Sequence, residues 1–97
     1  MSAHPIDRCI QRAEAWGILG WLWDVLQGKK AEDLCLWGAP MTGKTEFLED
    51  LTELGSIDRF DGSFWLTKGG TRIMESNHPV TKVGRFTFRC VKVEAVL

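Results

Sequence analysis

Ninety-seven residues make one small domain and leave no room for a second. Thirteen acidic residues against twelve Lys and Arg give a net charge of −1, which excludes a chain that binds polyanions by bulk charge; five Trp and five Phe are enough apolar mass for one core. The charge is uneven, with ten acids and six bases in residues 1–60 but three acids and six bases in residues 61–97, so a nucleic-acid surface is expected to draw on the C-terminal part. Cys9, Cys35 and Cys90 are widely spaced, form no C-x-x-C pair and have no His at ligand spacing; the expectation is a reduced, cytoplasmic protein with no metal and no cofactor.

In chain order, the first helical segment spans residues 5–27. Pro5 suits a first turn, and Cys9, Ala13, Trp16, Gly20 and Trp23 recur at three- and four-residue steps. Gly17 and Gly20 each weaken it by about 1 kcal/mol relative to Ala and are the points at which it would split in two. The apolar run from Ala15 to Leu26 is shorter than the roughly twenty residues a bilayer span needs, and no short basic region precedes it. Neither a membrane span nor a signal peptide is expected.

A short second helix is expected over 31–37, with Leu34 and Trp37 on one face, ended by Gly38-Ala39-Pro40. Thr42 would cap a third helix, whose stripe is Phe47, Leu48, Leu51 and Leu54 and whose end is Gly55. Asp61-Gly62 predicts a two-residue hairpin pairing Ile57 with Leu66 and Arg59 with Phe64, so that Ile57, Phe64 and Leu66 face the core. Thr67 would cap a fourth helix over 68–75, stopped by Asn77-His78-Pro79. From Gly84 to Leu97 the sequence alternates like a strand: Phe86, Phe88 and Cys90 share a face, then the apolar phase slips to Val91, Val93, Ala95 and Leu97. A slip of that kind suggests a bulge or a strand covered on both sides. The chain is one domain: a helical segment (5–27), a central region (31–75) and a terminal strand (80–97).

Residues 38–45, Gly-Ala-Pro-Met-Thr-Gly-Lys-Thr, carry two incompatible meanings. They satisfy the phosphate-loop spelling G-x-x-x-x-G-K-[ST], in which Gly38 and Gly43 let backbone N–H groups surround phosphates, Lys44 reaches the outer phosphates and Thr45 can ligate magnesium. The loop resembles that of some viral helicases of the superfamily 3 type. Leu34–Trp37 would then be the preceding strand. The sequence offers no clear apolar strand ending in a metal-binding carboxylate, because Phe64-Trp65-Leu66 ends in Thr67 and Val91-Lys92-Val93-Glu94 is a weak alternation.

The other meaning rests on order. Leu51-Thr52-Glu53-Leu54-Gly55, then Ile57-Asp58-Arg59, then Asp61-Gly62, then Leu66-Thr67-Lys68-Gly69-Gly70 resembles the winged helix-turn-helix of small bacterial and phage regulators over residues 31–75. The resemblance implies an α+β winged helix that binds double-stranded DNA without catalysis. The third helix would lie in the major groove. Candidate contacts are Thr42, Lys44, Thr45 and Glu46 on the helix and Arg59 on the wing, supported by Lys29, Lys30, Lys68 and Arg72. Glu46, Glu49, Asp50 and Glu53 oppose Lys44 alone on that helix, which does not favour a duplex. The same fold also serves as a protein-binding adaptor or a phage-encoded inhibitor of a host protein. Trp16, Trp21 and Trp23, which point to more than one side of the first helix, are then the interface. The terminal strand is a candidate homodimer contact. DNA binding is the first expectation, protein binding the alternative and nucleotide binding the third.

Overall fold

The computed structural model describes residues 4–96. Helix α1 (Pro5–Ala15) starts behind His4, whose ring accepts a hydrogen bond from the Ile6 N–H. Gly17 sits at φ 73°, where a side chain would be strained, and there the chain turns into α2 (Leu19–Leu26). The break resets the helical phase. Cys9, Ala13 and Trp16 are buried as expected, but in α2 the buried residues are Trp21, Leu22 and Val25, while Trp23 is 43% exposed. Among the described residues no helix is long and apolar enough to cross a membrane.

The expected helix over 31–37 is instead strand β1 (Leu34–Trp37). It lies between β4 (Arg72–Ser76) and β7 (Arg89–Lys92) and runs parallel to both. Leu34, Cys35 and Leu36 are all inaccessible to solvent. A short run buried on both sides reads equally well as helix or strand, and only its neighbours decide. The α+β class stands, with α3 (Lys44–Glu53) following β1. The helix, turn and second helix of a winged helix-turn-helix do not form, because a sheet strand occupies the first helix's place. Helix α3 keeps its expected stripe, with Phe47, Leu48 and Leu51 buried, but its N-cap is Gly43 and not Thr42, whose hydroxyl donates to the Ala39 carbonyl instead. Gly55, at φ 77°, ends it: Gly55 N–H donates to the Thr52 carbonyl and Ser56 N–H to that of Leu51.

Strands β2 (Ile57–Phe60) and β3 (Phe64–Thr67) form the expected hairpin in a different register. Ile57 pairs with Thr67 and Phe60 with Phe64, leaving a three-residue loop in which Asp61 and Gly62 both have positive φ. Slipping by one residue exchanges the faces, so Trp65 and Thr67 are buried and Phe64 and Leu66 are not. The expected helix over 68–75 is also replaced. Thr67 accepts a hydrogen bond from Thr71 N–H across a turn, and β4 runs antiparallel to β3, its Ile73 fully buried. The terminal strand divides at Phe88. Strand β6 (Phe86–Thr87) pairs with β5 (Lys82–Val83) in a separate hairpin, and β7 returns to β1. The phase slip from Cys90 to Val91 falls inside β7 and marks a strand covered on both faces, with Cys90 under Val80 and Val91 in the helix-side core; Leu97 lies outside the described residues.

The five-stranded sheet has the order β2-β3-β4-β1-β7. Leu34, Leu36, Ile73, Trp65 and Val91 face the three helices in one core. Residues 77–88 lie over the opposite face, with Phe88 stacked on Phe64 at 5.7 Å and Arg72 lying 3.7 Å over Phe86.

Candidate functional site

In an open sheet with parallel strands, ligands collect at the carboxyl ends, where the chain leaves one strand towards opposite sides. Strand β1 is that place here. Its chain leaves through residues 38–43 and α3, goes to β2, β3 and β4 on one side, and finally returns to β7 on the other. The two invariant glycines of the loop spelling are each required by geometry. A Cβ on Gly38 would stand 2.5 Å from the Val93 carbonyl oxygen, and Gly43 caps α3 at φ 100° with the Arg12 guanidinium against its Cα side. Met41 also has a positive φ of 67° and is 95% exposed. A non-glycine residue held there costs about 1–2 kcal/mol. The loop is held tightly, with one apolar side chain turned to water.

Lys44 is the first residue of α3 and is 7% exposed. Its ammonium donates to the carbonyls of Gly38 at 2.7 Å and Ala39 at 2.9 Å, with the Thr42 hydroxyl at 3.4 Å. It closes the loop around itself, so the charge is fixed at the loop's centre. The free N–H groups of the first turn of α3 start in the same place, and the helix dipole adds positive potential there.

Thr45 is the next residue. Its hydroxyl donates to Glu75 Oε2 at 2.9 Å. Glu75 stands on β4 opposite Leu36 of β1, on the helix side of the sheet. The carboxylate that the sequence did not disclose is therefore present, on the neighbouring parallel strand. Its signal was Ile73-Met74-Glu75, an apolar pair ending in an acid, hidden by the assignment of 68–75 to a helix. A cavity of about 340 Å³ is lined by the loop from Pro40 to Glu46 with Glu75 and Asn77. A second cavity of about 430 Å³ adjoins it through Thr45 and Glu75 and continues to Glu49, Arg59 and Trp65.

The loop is braced from behind by α1. Arg8 makes two hydrogen bonds to Asp50 of α3, at 2.8 and 3.1 Å, and Arg12 adds one at 3.3 Å. The Asp50 hydrogen bond and charge raise the Arg8 pKa above its ordinary value. Trp16 and Phe47 meet edge to face at 5.2 Å just beneath.

The nine residues expected to touch DNA do not share one surface. Thr42, Lys44, Thr45 and Glu46 are at the carboxyl end of β1. Lys29, Lys30, Lys68 and Arg72 are at its amino end, where Lys30 donates to the Gly70 carbonyl and Asp33 accepts from Arg72 N–H. Arg59 lies on β2, 4.4 Å over the Trp65 ring. Of the three tryptophans, Trp16 and Trp21 are buried with their ring N–H groups bonded to the carbonyls of Glu94 and Glu32; Trp23 alone presents a large exposed surface. Of the four loop residues named for nucleotide binding, Gly43, Lys44 and Thr45 line the cavity at the carboxyl end of β1, and Gly38 lies behind it against Val93. Comparison of the chain with protein-family models, curated proteins and solved structures finds no match.

Proposed function

We propose that the protein binds a nucleoside triphosphate with magnesium at the loop of residues 38–45. The observation that carries this reading is the 2.9 Å contact between Thr45 and Glu75, which joins the hydroxyl at the start of α3 to a carboxylate on the adjacent parallel strand. With the buried Lys44 it supplies the three groups such a site uses: an ammonium for the outer phosphates, a hydroxyl and a carboxylate for the metal. Magnesium keeps several waters and takes one or two protein oxygens besides the phosphates, so two ligands fit it. Among the described residues no group of three His, Cys, Asp or Glu could form a closed metal cage, which suits magnesium better than zinc or calcium. Thr45 and Glu75 would hold the ion, which would neutralise phosphate charge. The metal has a further part: the cavity lining carries one ammonium against the carboxylates of Glu46 and Glu75, which repel a bare polyphosphate.

The test is calorimetric titration of the full chain with a non-hydrolysable ATP analogue, with and without magnesium, and with inorganic phosphate. Saturable binding that requires magnesium and is weakened in Lys44→Ala is expected. Equal behaviour of the two proteins would end the proposal.

DNA binding through α3 is the weaker reading. The solvent side of that helix carries Glu46, Glu49 and Glu53, and duplex affinity comes from Lys and Arg at phosphates. A gel shift in a salt series reads it directly. Protein binding has one exposed aromatic on α2 to support it, Trp23, and homodimerisation has β7 at the sheet edge. A pull-down with Trp23→Ala and light scattering test these two.

A further inference from the structure

We propose that Cys35 and Cys90 form an oxidation site, a dithiol that a peroxide converts to a disulfide joining β1 to β7. The two residues are direct partners in the parallel register, on the face of the sheet away from the helices. The Cys90 thiol donates to the Val80 carbonyl at 3.2 Å, and the Val80 backbone contacts the Cys35 sulfur as well. The segment covering this face of the sheet thus holds both sulfurs at one point. Neighbouring strands lie about 4.8 Å apart, inside the roughly 4.4–6.8 Å that a disulfide spans between Cα atoms but below its usual value of about 5.5–6 Å. That spacing admits a bridge between the strands, at the short end of the usual range.

Access sets the order of events. Cys35 is fully buried, whereas Cys90 is half-buried on the edge strand. Peroxide meets Cys90 first: the sulfur takes one oxygen to become a sulfenic acid, the O–O bond is broken and water leaves. Cys35 sulfur then attacks Cys90 sulfur; the S–S bond forms, the S–O bond breaks, and the departing hydroxide leaves as water with the Cys35 proton. Burial pushes the Cys35 thiol up. Cys9 stands apart in the core on the helix side, where burial pushes its thiol up to about 12.

This inference does not depend on nucleotide binding. Its test treats the full chain with hydrogen peroxide and follows intact mass and proteolytic peptides without reductant. The expected result is loss of two hydrogens, a cross-linked peptide pair containing Cys35 and Cys90, an intact Cys9 thiol, and reversal by dithiothreitol. Cys35→Ser should leave Cys90 as a sulfenic acid trapped by dimedone, and Cys90→Ser should leave both remaining thiols unoxidised. Folding of each variant is checked by circular dichroism. Oxidation of Cys90 to sulfinic acid or to an intermolecular dimer, with the Cys35 thiol intact in the wild-type chain, would overturn the proposal.

Discussion

The two ends of the parallel strands differ in what their charges do. At the amino end the charges serve the chain itself: Lys30 holds the Gly70 carbonyl, Asp33 accepts from the Arg72 backbone, and Arg89 stands 3.7 Å from Glu32. At the carboxyl end one ammonium is wrapped in its own loop and one hydroxyl faces one carboxylate, beside a cavity. The amino end is the more basic of the two and also borders a cavity, of about 450 Å³, between residues 30–33 and 87–89; what it lacks is the loop spelling and the helix start that follow β1 at the other end. On the proposed reading, strand direction and helix polarity mark the site, and local basicity does not.

The sharpest way to break this contrast is Gly38→Ala. The added methyl meets the backbone carbonyl of Val93, which cannot swing aside as a side chain would. We expect a loss of about 1–3 kcal/mol, a fall of several degrees in the thermal midpoint, and no nucleotide binding by the folded protein. Lys44→Ala comes next. Charge-assisted hydrogen bonds contribute about 1.5–3 kcal/mol each, so affinity for the triphosphate analogue should fall about 10- to 100-fold by calorimetry. Glu75→Gln is a milder change that keeps the shape. It should weaken binding about tenfold at limiting magnesium and flatten the magnesium dependence, whereas chelation should abolish binding by the wild-type protein. The smallest effect belongs to the other end: Lys30→Ala and Arg89→Ala should change nucleotide affinity by less than about twofold and stability by about 0.5 kcal/mol or less. An amino-end variant that lost nucleotide binding while still folded would break the comparison.

Much of the local structure was legible. Helix α3, its apolar stripe and its Gly55 end follow from 3.6-residue periodicity and from the left-handed conformation glycine tolerates. The break at Gly17 was visible as a weak point, and the loop of 38–45 was readable as a motif. The register of the hairpin was not. Asp61 and Gly62 announce a turn, but Ser63 joins the loop, and one residue is enough to exchange Phe64 and Leu66 for Trp65 and Thr67 at the core. The catalogue of basic residues was legible too, but not their division between opposite ends of the sheet.

By itself the sequence determined where helix α3 ends, the apolar stripe it buries, and that Gly38, Gly43, Lys44 and Thr45 could act together. Only the tertiary structure decided that Leu34–Trp37 is a strand, because an apolar run of four has no periodicity of its own and takes its conformation from the strands on either side. That same pairing brings Glu75 to Thr45 across thirty positions of chain, and Cys90 to Cys35 across fifty-five. The sequence can mark Ile73-Met74-Glu75 as a strand ending in an acid, but not which strand it will lie beside, since the hydrogen bonds that pair strands are made by the backbone, whatever the side chains are.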